Sequence, residues 1–213
     1  MSGAEAGETQ GKRRGRRAAP TGDKRERILR SAIRVFARKG FYATRVSEIA
    51  KSAGVADGTI YLYFKNKDDV LVSIFEDRIG KLLVALREES EKGGTAAERI
   101  GRIIELQLGL LEGRRDLAEV ITVNLRQSSR LLKQYGAPLF NQYLDFLAGV
   151  IAEGQRSGEL RDDVSPRIAA RSLWGALDGL ALTWTLADGE PATLRRAARE
   201  FGSMFLEGLR RRA

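Results

Sequence analysis

Thr59, Tyr61, Tyr63, Lys65 and Lys67 alternate along one short stretch, bringing a hydroxyl, two phenols and two ammonium groups together. These groups donate to phosphate oxygens and reach base edges, which is the chemistry of groove recognition and not of bond making. Catalytic chemistry is poorly supplied elsewhere. With 0 His and 0 Cys the chain lacks the commonest general base, the commonest metal ligand, and any thiolate or disulfide. No nucleophile elbow, phosphate loop or metal-ligand cluster is present, which leaves a Ser/Lys hydrolase as a remote alternative only, and no metal or cofactor is expected.

Groups of this kind need a rod to carry them. The segment VSEIAKSAGVADGTIYLYFKNK divides into two short helical patterns around a Gly54-Val55-Ala56 turn, the layout of a helix-turn-helix. The first pattern covers 45–53, with Thr44 expected as its N-cap and Val46, Ile49, Ala50 and Ala53 facing inward. Gly54 occupies the C-terminal position where a left-handed backbone costs glycine least. The second covers 58–64 with Asp57 as the expected cap. It turns Ile60 and Phe64 inward and leaves Gly58, Tyr61, Leu62 and Lys65 outward, with Thr59 and Tyr63 at the edges. In a major groove, Gly58 would permit close approach, Leu62 would meet a thymine methyl, and Tyr61, Lys65 and Lys67 would hold phosphates.

Charge is distributed to match. Residues 1–67 hold 16 Lys/Arg against 6 Asp/Glu, a net of +10, while 68–213 hold 21 against 22, a net of −1, so the +9 of the chain belongs to its first third. A basic surface of that kind releases counterions from DNA and makes affinity fall steeply with salt. The preceding helix places Arg27, Arg30, Arg34 and Arg38 along one face, opposite Ile28, Leu29, Ala32, Val35 and Phe36; a solvated basic face accounts for the arginines equally well. Residues 1–21, with Lys12-Arg13-Arg14-Gly15-Arg16-Arg17 and no apolar period, are expected to be a disordered arm able to follow a minor groove.

GVADGTIYLYFKNKDDVL, preceded by a helix ending in Lys39-Gly40-Phe41, resembles the recognition segment of the TetR family of bacterial repressors. The resemblance implies an all-α, nine-helix fold: a three-helix DNA-binding head at 22–67 and a helical effector-binding and dimerisation domain at 68–213. Carried across position by position, the family's DNA contacts fall on Thr44, Val46, Ser47, Gly58, Thr59, Tyr61, Tyr63 and Lys67. Asp57 departs from the lysine or small polar residue that many relatives have there. A carboxylate repels phosphate, so Asp57 is assigned to capping.

Helix signals continue to the end of the chain. Asn66 caps a helix over 66–92 that Gly93-Gly94 breaks, and Thr95-Ala96-Ala97-Glu98 is a capping box opening a helix to about 113. Further helices are expected over 115–127, onward to 157 with a kink at Pro138, from Ser165-Pro166 to 187, and over 193–211. The longest apolar stretch, 173–187, is too short to span a bilayer and contains Asp178, so a cytoplasmic protein without a membrane partner is expected. Leu173, Trp174, Leu177, Leu180, Ala181, Trp184, Leu194, Phe201, Phe205 and Leu209 exceed what one face of two helices needs. By the TetR resemblance, much of that surface meets a second copy in a four-helix bundle, setting two heads on successive half-sites.

Segments 106–111, 120–125 and 140–150 are apolar with sparse polar groups (Gln107, Thr122, Asn124, Gln142, Tyr143), as in a small-molecule pocket; plain helical core has the same periodicity. Leu125-Arg126-Gln127-Ser128, Ser157-Gly158-Glu159-Leu160, Ala170-Arg171 and Thr183-Trp184 are similar to the subgroup of TetR regulators that repress fatty-acid degradation, which implies long-chain acyl-CoA as effector. Leu106, Leu110, Val123, Asn124, Arg126, Arg130, Phe140, Tyr143, Leu147 and Trp174 are the expected effector residues. Arg99, Arg102, Arg126 and Arg130 are the candidates for its phosphates, each also explicable as a salt bridge or solvated face. Asp178 is expected to pair with an arginine or line the subunit contact. A multidrug-sensing repressor binding aromatic cations is the main alternative, with Glu105, Glu119 and Asp178 as its carboxylates.

Overall fold

The computed structural model describes residues 21–128, 137–187 and 190–211. The basic arm therefore lies outside the described residues, as does Arg130. Nine α-helices are described: α1 Thr21–Lys39, α2 Val46–Ala53, α3 Asp57–Ile60, α4 Lys67–Glu91, α5 Ala96–Gly109, α6 Arg115–Glu119, α7 Ala137–Arg156, α8 Pro166–Leu186 and α9 Pro191–Leu209. Among the described residues the only β pairing is one isolated bridge between Leu160 and Arg210, and no helix is long and apolar enough to cross a membrane.

Local chemistry sets most boundaries. Gly54 takes φ 63° and ψ 42°, and the Gly54 and Val55 amides donate to Lys51 O (3.2 Å) and Ala50 O (3.1 Å), closing α2 in a Schellman motif. Asn66 Oδ1 accepts from the Asp69 amide at 2.8 Å. At α5 the Thr95 hydroxyl accepts from the Glu98 amide at 3.1 Å while the Thr95 amide donates to the Glu98 carboxylate at 2.9 Å, a reciprocal capping box.

Four local expectations change. The N-cap of α2 is Arg45, whose amide donates to Glu48 Oε2 at 3.0 Å; Thr44 is buried and its hydroxyl donates to Gly40 O at 2.8 Å. Asp57 is the first residue of α3 and Ala56 its cap, so the carboxylate acts on the helix dipole and not as a side-chain cap. Helix α3 is a single turn that tightens into i→i+3 bonds, Leu62 N to Thr59 O and Tyr63 N to Ile60 O, because Phe64 must turn back into the core. The stretch after α6 leaves α geometry, passing through a π turn at Val120–Asn124 and a 3-10 turn at Leu125–Ser128. Helix α7 is described from Ala137, so Pro138 sits at its start, and a kink before it falls outside the described residues.

Two hydrophobic cores result. The head core gathers Ile28, Leu29, Ala32, Val35 and Phe36 of α1 with Phe41, Ile49, Ala50, Ile60 and Phe64. It also takes Val70, Leu71 and Ile74 from α4 and Leu117, Val120 and Leu125 from the α6 segment. The body core is built where α9 lies along α5 and α7 along α8, around Ile100, Ile103, Ile104, Leu147, Ile151 and Leu173. Helix α4 enters both. The apolar residues expected at a subunit contact divide accordingly: Leu173, Leu177, Ala181, Trp184, Leu194 and Leu209 are buried within one chain. What α8 and α9 leave exposed is a different stripe, with Ile168 and Leu186 on α8 and Met204 on α9.

Candidate nucleic-acid interface and ligand cavity

Helix α1 packs on α2 through the head core, which holds the α3 turn proud of the surface. Ile60 and Phe64 anchor it from beneath, both buried, while Leu62 is 80% and Tyr61 58% exposed. Gly58 is open, with nothing within 4 Å of where a Cβ would stand. An aliphatic and an aromatic side chain on a protruding turn are costly in water unless they meet a surface. Tyr42, Ser47, Lys51 and Lys65 are also exposed on the head, as are Arg30, Arg34 and Arg38 of α1. Val46, Thr59 and Tyr63 are half-buried at its edge.

Thr44 and Lys67 sit beneath this surface. Lys67 Nζ donates to Phe41 O (2.8 Å), Thr44 O (3.0 Å) and Tyr42 O (3.1 Å) and lies 4.6 Å from the centre of the Phe41 ring. An ammonium has three donors, and all three are engaged in holding the loop that enters α2. Glu48 fixes the same corner. Its carboxyl is held below the ordinary range by the Arg45 amide first and by its ion pair with Lys39 second.

A cavity of about 500 Å³ lies between the two cores, within the range of small-molecule sites. Helix α4 contributes Phe75, Arg78, Ile79, Lys81 and Leu82, and α5 with its following turn contributes Gln107, Leu108, Leu110, Leu111 and Arg114. Leu117, Ile121, Thr122, Leu125 and Arg126 form a second wall, and α7 and α8 close it with Phe140, Tyr143, Trp174, Leu177, Asp178 and Ala181. Phe140 meets Trp174 edge to face at 4.8 Å. The buried Tyr143 hydroxyl donates to Gln107 Oε1 at 2.8 Å, and burial pushes the phenol well above its ordinary value.

Asp178 is the one acid among the described lining residues. Burial raises its carboxyl, and the ion pair with Arg126 opposes that rise. Arg126 also donates to Thr122 O at 2.7 Å from Nη1, so the pair is braced on the π turn. No group of three or more His, Cys, Asp or Glu able to hold a metal occurs among the described residues.

Of the expected effector residues, Leu110, Arg126, Phe140, Tyr143 and Trp174 line this cavity. Leu147 is buried in the body core and Leu106 packs partly buried against it. Val123 is half-buried, and Asn124 is buried, its amide donating weakly to Glu119 O at 3.4 Å while its oxygen has no partner; neither lines the cavity. Arg99 and Arg102 are occupied elsewhere, by Glu153 at 2.6 Å and Glu89 at 2.9 Å. Sequence reasoning passed over Arg78 and Lys81. The available signal was the i, i+3, i+4, i+7 run of Phe75, Arg78, Ile79 and Leu82, which sets a cation within an apolar stripe of α4.

Known proteins match both parts of this architecture. The family model "Bacterial regulatory proteins, tetR family" matches residues 28–74, and "YsiA-like protein, C-terminal region" matches 75–206. The fatty acid metabolism regulator protein of Bacillus subtilis is 39% identical over 161 residues, covering 76% of this chain and 83% of the relative. The crystal structure of the Bacillus subtilis regulator FadR in complex with stearoyl-CoA aligns with a TM-score of 0.81 and 35% identity, over 86% of this chain and 98% of that one. The fatty acid degradation regulator FadR of Bacillus halodurans aligns at 0.83 and 32%, over 91% and 100%.

Proposed function

From the premise that this chain belongs to the TetR family of bacterial regulatory proteins, and so is a DNA-binding transcriptional regulator, we propose that it is a repressor of fatty-acid degradation released from its operator by a long-chain acyl-CoA. The observation that carries the ligand class is the cavity itself: an apolar cavity of about 500 Å³ whose charged wall residues are four cations and one acid, Asp178, paired with one of them, Arg126. An acyl chain requires the first property and a phosphorylated headgroup the second. Support comes from the stearoyl-CoA held by the Bacillus subtilis relative. An aromatic cation is disfavoured by the same wall, since Asp178 already faces Arg126, Glu105 is exposed and Glu119 does not line the cavity.

Two copies act together in this reading. Ile168, Gly175, Gly179, Leu182 and Leu186 follow one another along the outer side of α8, a stripe of apolar and small residues that a second copy covers, with Met204 of α9 beside it. The pair presents two α3 turns to neighbouring major grooves. Ligand release then requires tighter binding to the arrangement that cannot span both grooves. Helix α4 is the lever: Val70, Leu71 and Ile74 sit in the head core, while Phe75, Ile79 and Leu82 line the cavity.

Fluorescence anisotropy of a labelled operator tests this directly. Stearoyl-CoA dissociates the complex at micromolar concentration, whereas stearate and free CoA do not. Operator binding that persists at saturating stearoyl-CoA disproves the effector assignment.

A further inference from the structure

We propose that Arg78, Lys81 and Arg114 form an anion subsite at one end of the cavity in which headgroup phosphates draw Lys81 away from Glu26 of the DNA-reading head, so that the headgroup as well as the acyl tail drives release. This rests on the reading that the cavity takes an acyl thioester with a phosphorylated headgroup. Five charged side chains line the cavity: Arg78, Lys81, Arg114, Arg126 and Asp178. The last two satisfy each other. The surplus positive charge therefore lies on α4 and on the turn after α5.

The α4–α5 hairpin brings those cations to one level. Its strands of helix are pinned where Arg102 meets Glu89 at 2.9 Å. Arg78 lies eleven residues before Glu89 and Arg114 twelve after Arg102, so the antiparallel pair carries both to the same end.

Their own counter-charges are thin. Asp77 is shared, 3.0 Å from Lys81 Nζ and 3.5 Å from Arg78 Nε, and that Nε is buried without a hydrogen bond. Arg114 makes no ion pair or side-chain hydrogen bond among the described residues. Cations gathered on an apolar wall with one carboxylate between them favour a multiply charged anion, with guanidinium forks for its oxygens.

Lys81 also faces the head. Its ammonium lies 3.9 Å from Glu26 Oε1 on α1, an ionic contact between α4 and the reader. Both groups are half-exposed, so the tie is a weak one, and its loss biases the two-state equilibrium by a few-fold. A headgroup that engages Lys81 removes this tie only in the ligand-bound state.

Calorimetric titration and operator anisotropy with stearoyl-CoA and with stearoyl-pantetheine, which carries the same thioester without phosphates, test the proposal in the full chain. The parent protein binds stearoyl-CoA about tenfold or more tightly than stearoyl-pantetheine. Arg78→Gln and Arg114→Gln each lower the affinity for stearoyl-CoA far more than that for stearoyl-pantetheine, removing most of that preference. At saturation of both, stearoyl-CoA weakens operator binding a few-fold more than stearoyl-pantetheine, and Glu26→Gln abolishes this difference while raising the affinity for stearoyl-CoA, but not for stearoyl-pantetheine, by a similar few-fold. Equal affinity of the parent for both ligands, equal loss of both in the arginine variants, or a difference in release that survives Glu26→Gln overturns the subsite and leaves the acyl-thioester reading intact. Failure of the parent to bind either ligand overturns both.

Discussion

Tyr61 and Lys67 carry the same expectation from sequence and occupy opposite situations. Tyr61 extends from a one-turn helix into open space, while the Lys67 ammonium is locked on three carbonyl oxygens. Tyr61→Ala is expected to weaken operator binding by about tenfold, one lost contact's worth, with an unchanged melting temperature. Lys67→Met should do the reverse in origin. It leaves Phe41 O, Tyr42 O and Thr44 O unpaired, costing about 1–3 kcal/mol of stability, and DNA binding falls only as the α1–α2 corner loosens. Differential scanning calorimetry beside anisotropy separates the two. Glu48 makes the same corner sensitive to acid. Because its folded value lies below the ordinary 4.5, its contribution is complete above 4.5 and is lost as pH falls through the depressed value. Thermal melts of Glu48→Gln should therefore lie below the parent near neutral pH and converge with it in acid.

At the scale of elements, two glycines show how differently a similar residue can be required. Gly54 ends α2 with a left-handed backbone in open surroundings, so Gly54→Ala costs about 1 kcal/mol through conformation alone. Gly154, inside α7, has no unusual backbone, yet a Cβ there would stand 2.5 Å from Ala96 Cβ and 2.7 Å from Leu160 Cδ1. Gly154→Ala forces α7 off the α5 N-terminus and is expected to cost about 1–3 kcal/mol, read as a lower midpoint in urea unfolding. The first requirement was legible in the sequence because a glycine after an amphipathic run signals its own backbone. The second was not, since the contact joins residues far apart in the chain. The same division runs through the site. Asn66, Thr95 and Gly54 announced their helix ends because capping is local, and Ile60 and Phe64 announced an inward face by spacing. The departure of Val120–Asn124 into a π turn depends on the cavity and head core it must serve at once. The bounds of α4 were legible from Asn66 and Gly93-Gly94, but not its double role, because periodicity cannot say which of two cores each of its faces will meet.

Across the whole molecule, the exposed stripe of α8 is the feature that would make two chains into one reader. Leu186→Glu is expected to give a monomer by sedimentation velocity and to abolish operator binding while the helical circular-dichroism spectrum is kept. Saturating stearoyl-CoA should slow amide exchange in α1 as well as in α4, although α1 contributes nothing to the lining.

That last outcome follows from Leu117, Ile121 and Leu125, which line the cavity on one side and pack with the head core on the other. The sensor's wall and the reader's interior are thus one sheet of side chains. Heads and bodies of this kind are not portable: a graft that joined residues 21–66 to a foreign body would leave uncovered the face of α1 that packs on α4 and on the α6 segment unless the recipient supplied a matching one. Drift toward a new ligand would have to keep Leu117, Ile121 and Leu125 apolar toward the head while it reshaped them toward the cavity.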